Sequence, residues 1–211
     1  MYSLDTLEKI CSLLTAKSKE FGTHIVLIAD EPYRDLVYGD VEVPYLMNLY
    51  PDTVVCMSYS KSLSLPGERI GYIAVSPEMH EGAGVYAAIC GAGRALGYVC
   101  APSLFQRVVA KCVEAKPDLA AYERNRNLIY DSLTEMGYDC VRPDGAFYLF
   151  VKALEPDANA FADRAKELGL LIVPGDSFGA KGYVRISYCV SYDMIKRSLP
   201  AFRELIDSYK K

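Results

Sequence analysis

The chain has 211 residues, 51% of them hydrophobic and 24% charged, a soluble globular balance with room for one large domain or two small ones. Its 27 acidic and 23 basic side chains leave a formal charge of −4, which gives no electrostatic footprint for nucleic acid. No apolar run approaches the roughly 20 residues of a membrane-spanning helix, and "MYSLDTLEKICSLL" lacks a signal peptide's basic start and continuous apolar core, so a cytoplasmic protein is expected.

Leu4, Leu7, Ile10, Cys11 and Leu14 recur at helical spacing, with Ser3 as N-cap and Gly22 as stop. "HIVLIA" (24–29), "VVCMSY" (54–59) and "GYIAVS" (71–76) are short apolar runs rich in β-branched residues. That is the pattern of strands covered on both faces. A helix followed by such strands predicts an α/β architecture, with ligands beyond the carboxyl ends of the strands. Asp30 and Ser58 to Lys61 fall at such ends. The small-residue stretch "EGAGVYAAICGAGRALGYVCAPS" (81–103) reads only as helix and loop. Its "GAGRALG" has the wrong final spacing for a dinucleotide-binding glycine loop and does not clearly follow a strand. Two helical stretches come next, split at Pro117, the second over 118–136 with Gly137 as its C-cap.

From Tyr138 onward the pattern becomes α+β. A strand is expected at 145–151, a helix at 159–168 closed by Gly169, strands at 169–174 and 182–190, and a last helix interrupted by Pro200. The expected division of the chain is 1–120 and 121–211. Seven cysteines stand singly, an odd number with no CxxC pair, and read as small core hydrophobes. With only His24 and His80 besides, no metal site is expected.

Asp30, expected to be partly buried at a strand end, reads either as a turn cap or as a carboxylate held ionised by a cationic partner. Tyr33 follows closely enough to face the same pocket. In "SYSKSLSLPGERIGY" (58–72), Lys61 is flanked by Ser58, Ser60, Ser62 and Ser64, with Arg69 beyond a Pro66-Gly67 turn. Such a segment suits a solvated loop or a phosphate cradle of hydroxyls and a guanidinium. It also suits a lysine shielded from water near a fixed cation, whose neutral amine attacks a carbonyl. A phosphate site, a reactive lysine and an upstream carboxylate together point to pyridoxal phosphate. That cofactor needs a Schiff-base lysine, a carboxylate opposite its pyridine nitrogen and an anchored phosphate. Arg185, in "YVRIS", reads by itself as a strand-edge arginine in a surface ion pair.

Taken in order, "ADEPYRDLVY", "SYSKSLSLPGERIGY", "RPDGAFYLF", "VPGDSFG" and "GYVRISYC" resemble the class I and II aminotransferases of fold type I. The pattern is Asp-x-x-Tyr followed by Ser-x-Ser-Lys with an arginine eight residues beyond the lysine, and the similarity runs over essentially the whole chain. The resemblance implies Lys61 as Schiff-base lysine and proton carrier, Asp30 on the pyridinium nitrogen and Tyr33 on the ring's phenolic oxygen. It places Ser58, Ser60 and Arg69 on the phosphate and Arg185 on the substrate α-carboxylate. It further implies part of the large mixed-sheet cofactor domain over 1–120, a smaller α+β C-terminal domain over 121–211, a homodimer, and amino-acid and 2-oxo-acid substrates. The family's N-terminal half, with its ring-stacking aromatic residue and small-residue phosphate loop, has no counterpart here. A truncated chain is therefore expected, one that need not turn over alone. The same residues also allow a lyase or decarboxylase on this scaffold, or a non-catalytic aminotransferase-like regulatory domain.

Overall fold

Ser3 starts the first helix, α1 (Leu4–Phe21): its hydroxyl accepts the Thr6 N–H at 3.2 Å, and Gly22 closes the helix at φ +61°. The computed structural model describes residues 2–210, which fall into two units divided between Pro117 and Asp118. In the first, β1 (Leu27–Asp30), β2 (Thr53–Ser58) and β3 (Gly71–Val75) form a sheet in the order β1-β2-β3. β1 and β2 are parallel, and β3 is antiparallel to β2. The four-residue helix α2 (Tyr59–Ser62) leaves the end of β2 directly. Two longer helices, α3 (Gly82–Ala95) and α4 (Ser103–Cys112), follow β3.

The expectation that these strands are covered on both faces is not met. Ile28, Asp30, Cys56 and Ile73 share one face by register. On it, Val54 in the central strand is buried, whereas Ile28 and Ile73 on the two edge strands are 67% and 49% exposed. With three strands, two of them edges, the outward residues of β1 and β3 have no layer over them. The stretch 81–103 is equally uncovered: α3 buries none of its residues, and Leu96, Tyr98 and Val99 beyond it are exposed.

The second unit opens with α5 (Leu119–Met136), capped at Asp118 and closed by Gly137 at φ +104°. Its sheet runs β4-β5-β7-β6 and is antiparallel throughout. The strands are β4 (Cys140–Val141), β5 (Tyr148–Lys152), β6 (Val173–Pro174) and β7 (Tyr183–Ser187). Helices α6 (Ala158–Glu167) and α7 (Tyr192–Ser208) complete it. Leu149 and Val151 of β5 face Ile186 and Val184 of β7 and are buried with Ile129 and Leu133 of α5 and Phe202 and Leu205 of α7. The strand expected over 169–174 shrinks to two residues, because Gly169 turns at φ +79° and Leu171 points to solvent. The last helix is not interrupted: α7 runs through Pro200. Proline removes one backbone donor, but Ile195 before it and Phe202, Leu205 and Ile206 after it are all buried, so packing of one face holds the helix together.

Candidate functional site

Asp30 ends β1 and pairs across the parallel ladder with Cys56, two residues before Ser58 ends β2. The carboxylate and the Ser58–Lys61 segment therefore leave the sheet at the same end of adjacent strands, where ligands gather in open α/β sheets. Asp30 is exposed rather than partly buried; it lies on an edge strand, on the open sheet face. The Cys56 thiol beside it is pushed up by burial and then by the Asp30 charge.

Ser58 caps α2. Its hydroxyl accepts the Ser60 N–H at 3.2 Å and donates to Ser60 Oγ at 2.8 Å, so the two serines form one hydroxyl pair before Lys61. Lys61 sits on α2 with Nζ 5.7 Å from the centre of the Tyr33 ring. Arg69 lies past the Pro66-Gly67 turn in the left-handed backbone region at φ +53°, strained for a side chain with a Cβ, and Nη1 donates to Pro66 O at 2.8 Å. Gly71 explains why the chain can return so close. A Cβ there would stand 2.2 Å from Met57 O and 3.1 Å from Ser58 Cα, so only glycine lets β3 pair beside the serine. The structure thus brings Asp30, Tyr33, Ser58, Ser60 and Lys61 to one end of the sheet, with Arg69 on the connection back into it.

Arg185 belongs to the second unit, on β7 between Phe150 of β5 and Val173 of β6. Its guanidinium carbon lies 4.2 Å from the Tyr148 ring centre and 3.9 Å from that of Phe178. Gly175 makes the Phe178 turn possible, since a Cβ there would stand 2.4 Å from Ala180 O and 2.7 Å from Tyr183 O. An arginine held on aromatic rings keeps a planar fork of donors suited to a carboxylate, in place of the surface ion pair that the strand alone suggested.

The chain matches the family model of aminotransferase class I and II over residues 2–202. The chain belongs to that family. An aminotransferase of Eubacterium rectale, solved by crystallography, is 58% identical and superposes with a TM-score of 0.96 over 100% of this chain and 53% of its own. A single mutant of the Thermus thermophilus aspartate aminotransferase is 27% identical, with a TM-score of 0.82 over 97% of this chain and 53% of its own. An aromatic-amino-acid aminotransferase of Thermococcus litoralis is 29% identical over 88% of this chain and 50% of its own. The α/β fold is accordingly part of a fold-type I aminotransferase, and the chain spans about half the length of the relatives it matches.

Three residues near the candidate groups were not singled out by sequence. Tyr148 and Phe178 lay inside recognised blocks, "GAFYLF" and "GDSFG", but only the register of β5 with β7 and the fold of the Gly175 turn show that they meet Arg185. Arg34, next to Tyr33, makes a salt bridge with Glu31 at 2.7 Å. Their spacing of three was visible in "EPYRD", but it is also common on ordinary surface turns.

Proposed function

We propose that this chain is the lysine-bearing portion of a pyridoxal-phosphate-dependent aminotransferase acting between an amino acid and a 2-oxo acid. The observation that carries the reading is Lys61 Nζ held 5.7 Å from the Tyr33 ring, at the strand ends where Asp30 and the Ser58–Ser60 pair also emerge. The donor set suits the cofactor: one amine for its aldehyde, two hydroxyls and a guanidinium for its phosphate, a carboxylate for its ring nitrogen and a phenol for its ring oxygen. When bound, pyridoxal phosphate supplies an aldehyde carbon and an electron-withdrawing ring.

Lys61 would offer its amine to that aldehyde, and its Nζ would hold the proton taken from the substrate Cα. Asp30 keeps a positive charge favourable on the ring nitrogen, and Tyr33 orients the ring through its hydroxyl. Ser58, Ser60 and Arg69 bind the phosphate. Arg185 receives the substrate α-carboxylate through paired N–H donors, its plane fixed by Tyr148 and Phe178. A cytoplasmic location is supported by seven cysteines that are all free thiols. Association as a homodimer is supported by the uncovered apolar residues of α3 and of the segment after it.

The test is incubation with pyridoxal phosphate, borohydride reduction and peptide mapping. One adduct at Lys61, absent in Lys61→Ala, is the expected result. Label spread over exposed lysines, or an unchanged adduct in the variant, would overturn the assignment.

A further inference from the structure

The turn that carries Tyr33 is tied down in three directions. At its start, Glu31 N donates to Cys56 O at 2.9 Å, prolonging the β1–β2 ladder by one residue. Inside it, Arg34 N donates to Glu31 O at 3.2 Å and Leu36 N to Tyr33 O at 2.9 Å. At its end, Leu36 is wholly buried. The third tie is the side chain of Arg34, which is 12% exposed. Its guanidinium donates to Glu31 Oε2 at 2.7 Å, to Pro44 O at 3.2 Å and to Val43 O, and lies 3.7 Å from the Tyr45 ring centre. One rigid fork thus joins the outside of the Tyr33 turn to the 43–45 segment. A lysine keeps the charge but cannot reach a carboxylate and two carbonyls in one plane.

We propose that Arg34 is a positioning residue: its clamp on Glu31 and residues 43–45 holds the Tyr33 ring beside Lys61, and so sets how tightly this end of the sheet holds a pyridoxal aldehyde. The second half rests on the proposed function, whereas the clamp itself does not. With the fork gone, the ladder and Leu36 still fix both ends of the turn, and half-buried Tyr33, midway between them and next to Arg34, is the residue whose position shifts.

The test places a fluorinated tyrosine at position 33 and, as a control, at position 138. The Tyr138 hydroxyl donates to Phe202 O at 2.7 Å within the second unit. Fluorine NMR is recorded on the chain without cofactor. In Arg34→Ala and Arg34→Lys the Tyr33 signal moves toward its unfolded position while the Tyr138 signal stays. If Arg34→Ala fails to fold, as the Tyr138 signal would show, Arg34→Lys carries the comparison. A Tyr33 signal unmoved in the folded variants overturns the clamp.

Pyridoxal phosphate binding, followed by absorbance, is the second arm. Arg34→Lys should raise the dissociation constant about tenfold, but less than about twofold in a Tyr33→Phe background, since residues acting through one another are not additive. Equal losses in both backgrounds overturn the claim that Arg34 works through Tyr33. A chain that forms no reducible adduct at Lys61 overturns the cofactor half together with the proposed function, while the fluorine signal still decides the clamp.

Discussion

In the second unit Leu133, Leu149, Val184, Tyr188 and Leu205 have no exposed surface, whereas in the first, among the described residues, only Leu36 and Thr53 reach that state. Among the described residues, large apolar side chains left in solvent are more numerous in the first unit, where they include Ile28, Tyr72, Ile73, Tyr86, Leu96, Tyr98 and Val99, than in the second, where Leu171 and Val141 are examples. The difference follows from sheet type. Antiparallel strands joined locally need one covered face, and α5, α6 and α7 cover it within the same stretch of chain. A sheet containing parallel strands is normally covered on both faces by crossover helices, and here it stops at three strands. The candidate lysine therefore stands on the less closed unit and the candidate carboxylate receptor on the more closed one.

The largest expected break in this contrast is Leu149→Ala. Leu149 is fully buried and sits opposite Ile186, so truncation leaves a cavity in a core with no solvent access. A loss of about 3 kcal/mol is expected, read as a lower denaturant midpoint with unchanged slope. A loss below about 1 kcal/mol would mean that the second unit's core collapses around cavities and is less closed than its burial indicates.

A smaller effect should appear at alkaline pH, again in the second unit. Tyr209 donates to Glu155, and its phenol is pushed up to about 12, first by burial and then by that carboxylate, with the nearby Arg164 acting in the opposite sense. The Tyr138 phenol is pushed up too, chiefly by burial. Below the ordinary value of 10 both states hold the proton. Above it the unfolded chain releases the proton first, so the Tyr209 contribution fades as pH rises through the window from 10 to about 12. The melting temperature should fall across that window, and fall less steeply in Tyr209→Phe. Identical slopes would show that Tyr209 titrates alike in both states.

Local signals explain what was legible in the sequence. Ser3, Gly22 and Gly137 mark helix ends through chemistry confined to one turn, and the Lys61 segment carries its residue types at short spacing. What was not legible depends on partners distant in the chain. The aromatic setting of Arg185 needs the register of β7 with β5. The continuity of α7 through Pro200 needs the buried side chains on either side of it. The exposure of Ile28 and Asp30 depends on how many strands the sheet contains, which an apolar run does not state.

Ile28 gives the smallest expected change in stability and the sharpest test of the open face. It is a β-branched residue in an edge strand, two-thirds exposed, with buried Val54 beside it on the same face. Ile28→Thr keeps the β-branched shape that suits a strand while replacing a methyl-bearing arm with a hydroxyl that water can solvate. If the face is open in solution, the substitution changes stability by no more than about 0.5 kcal/mol, and binding of a hydrophobic dye falls. If another surface covers that face, the same hydroxyl is desolvated without a partner, and the cost rises to about 1–3 kcal/mol. Denaturant midpoints measured at low and high protein concentration separate the cases. A penalty that grows with concentration places a second copy of the chain on Ile28, and a small, concentration-independent change leaves the first unit's sheet bare.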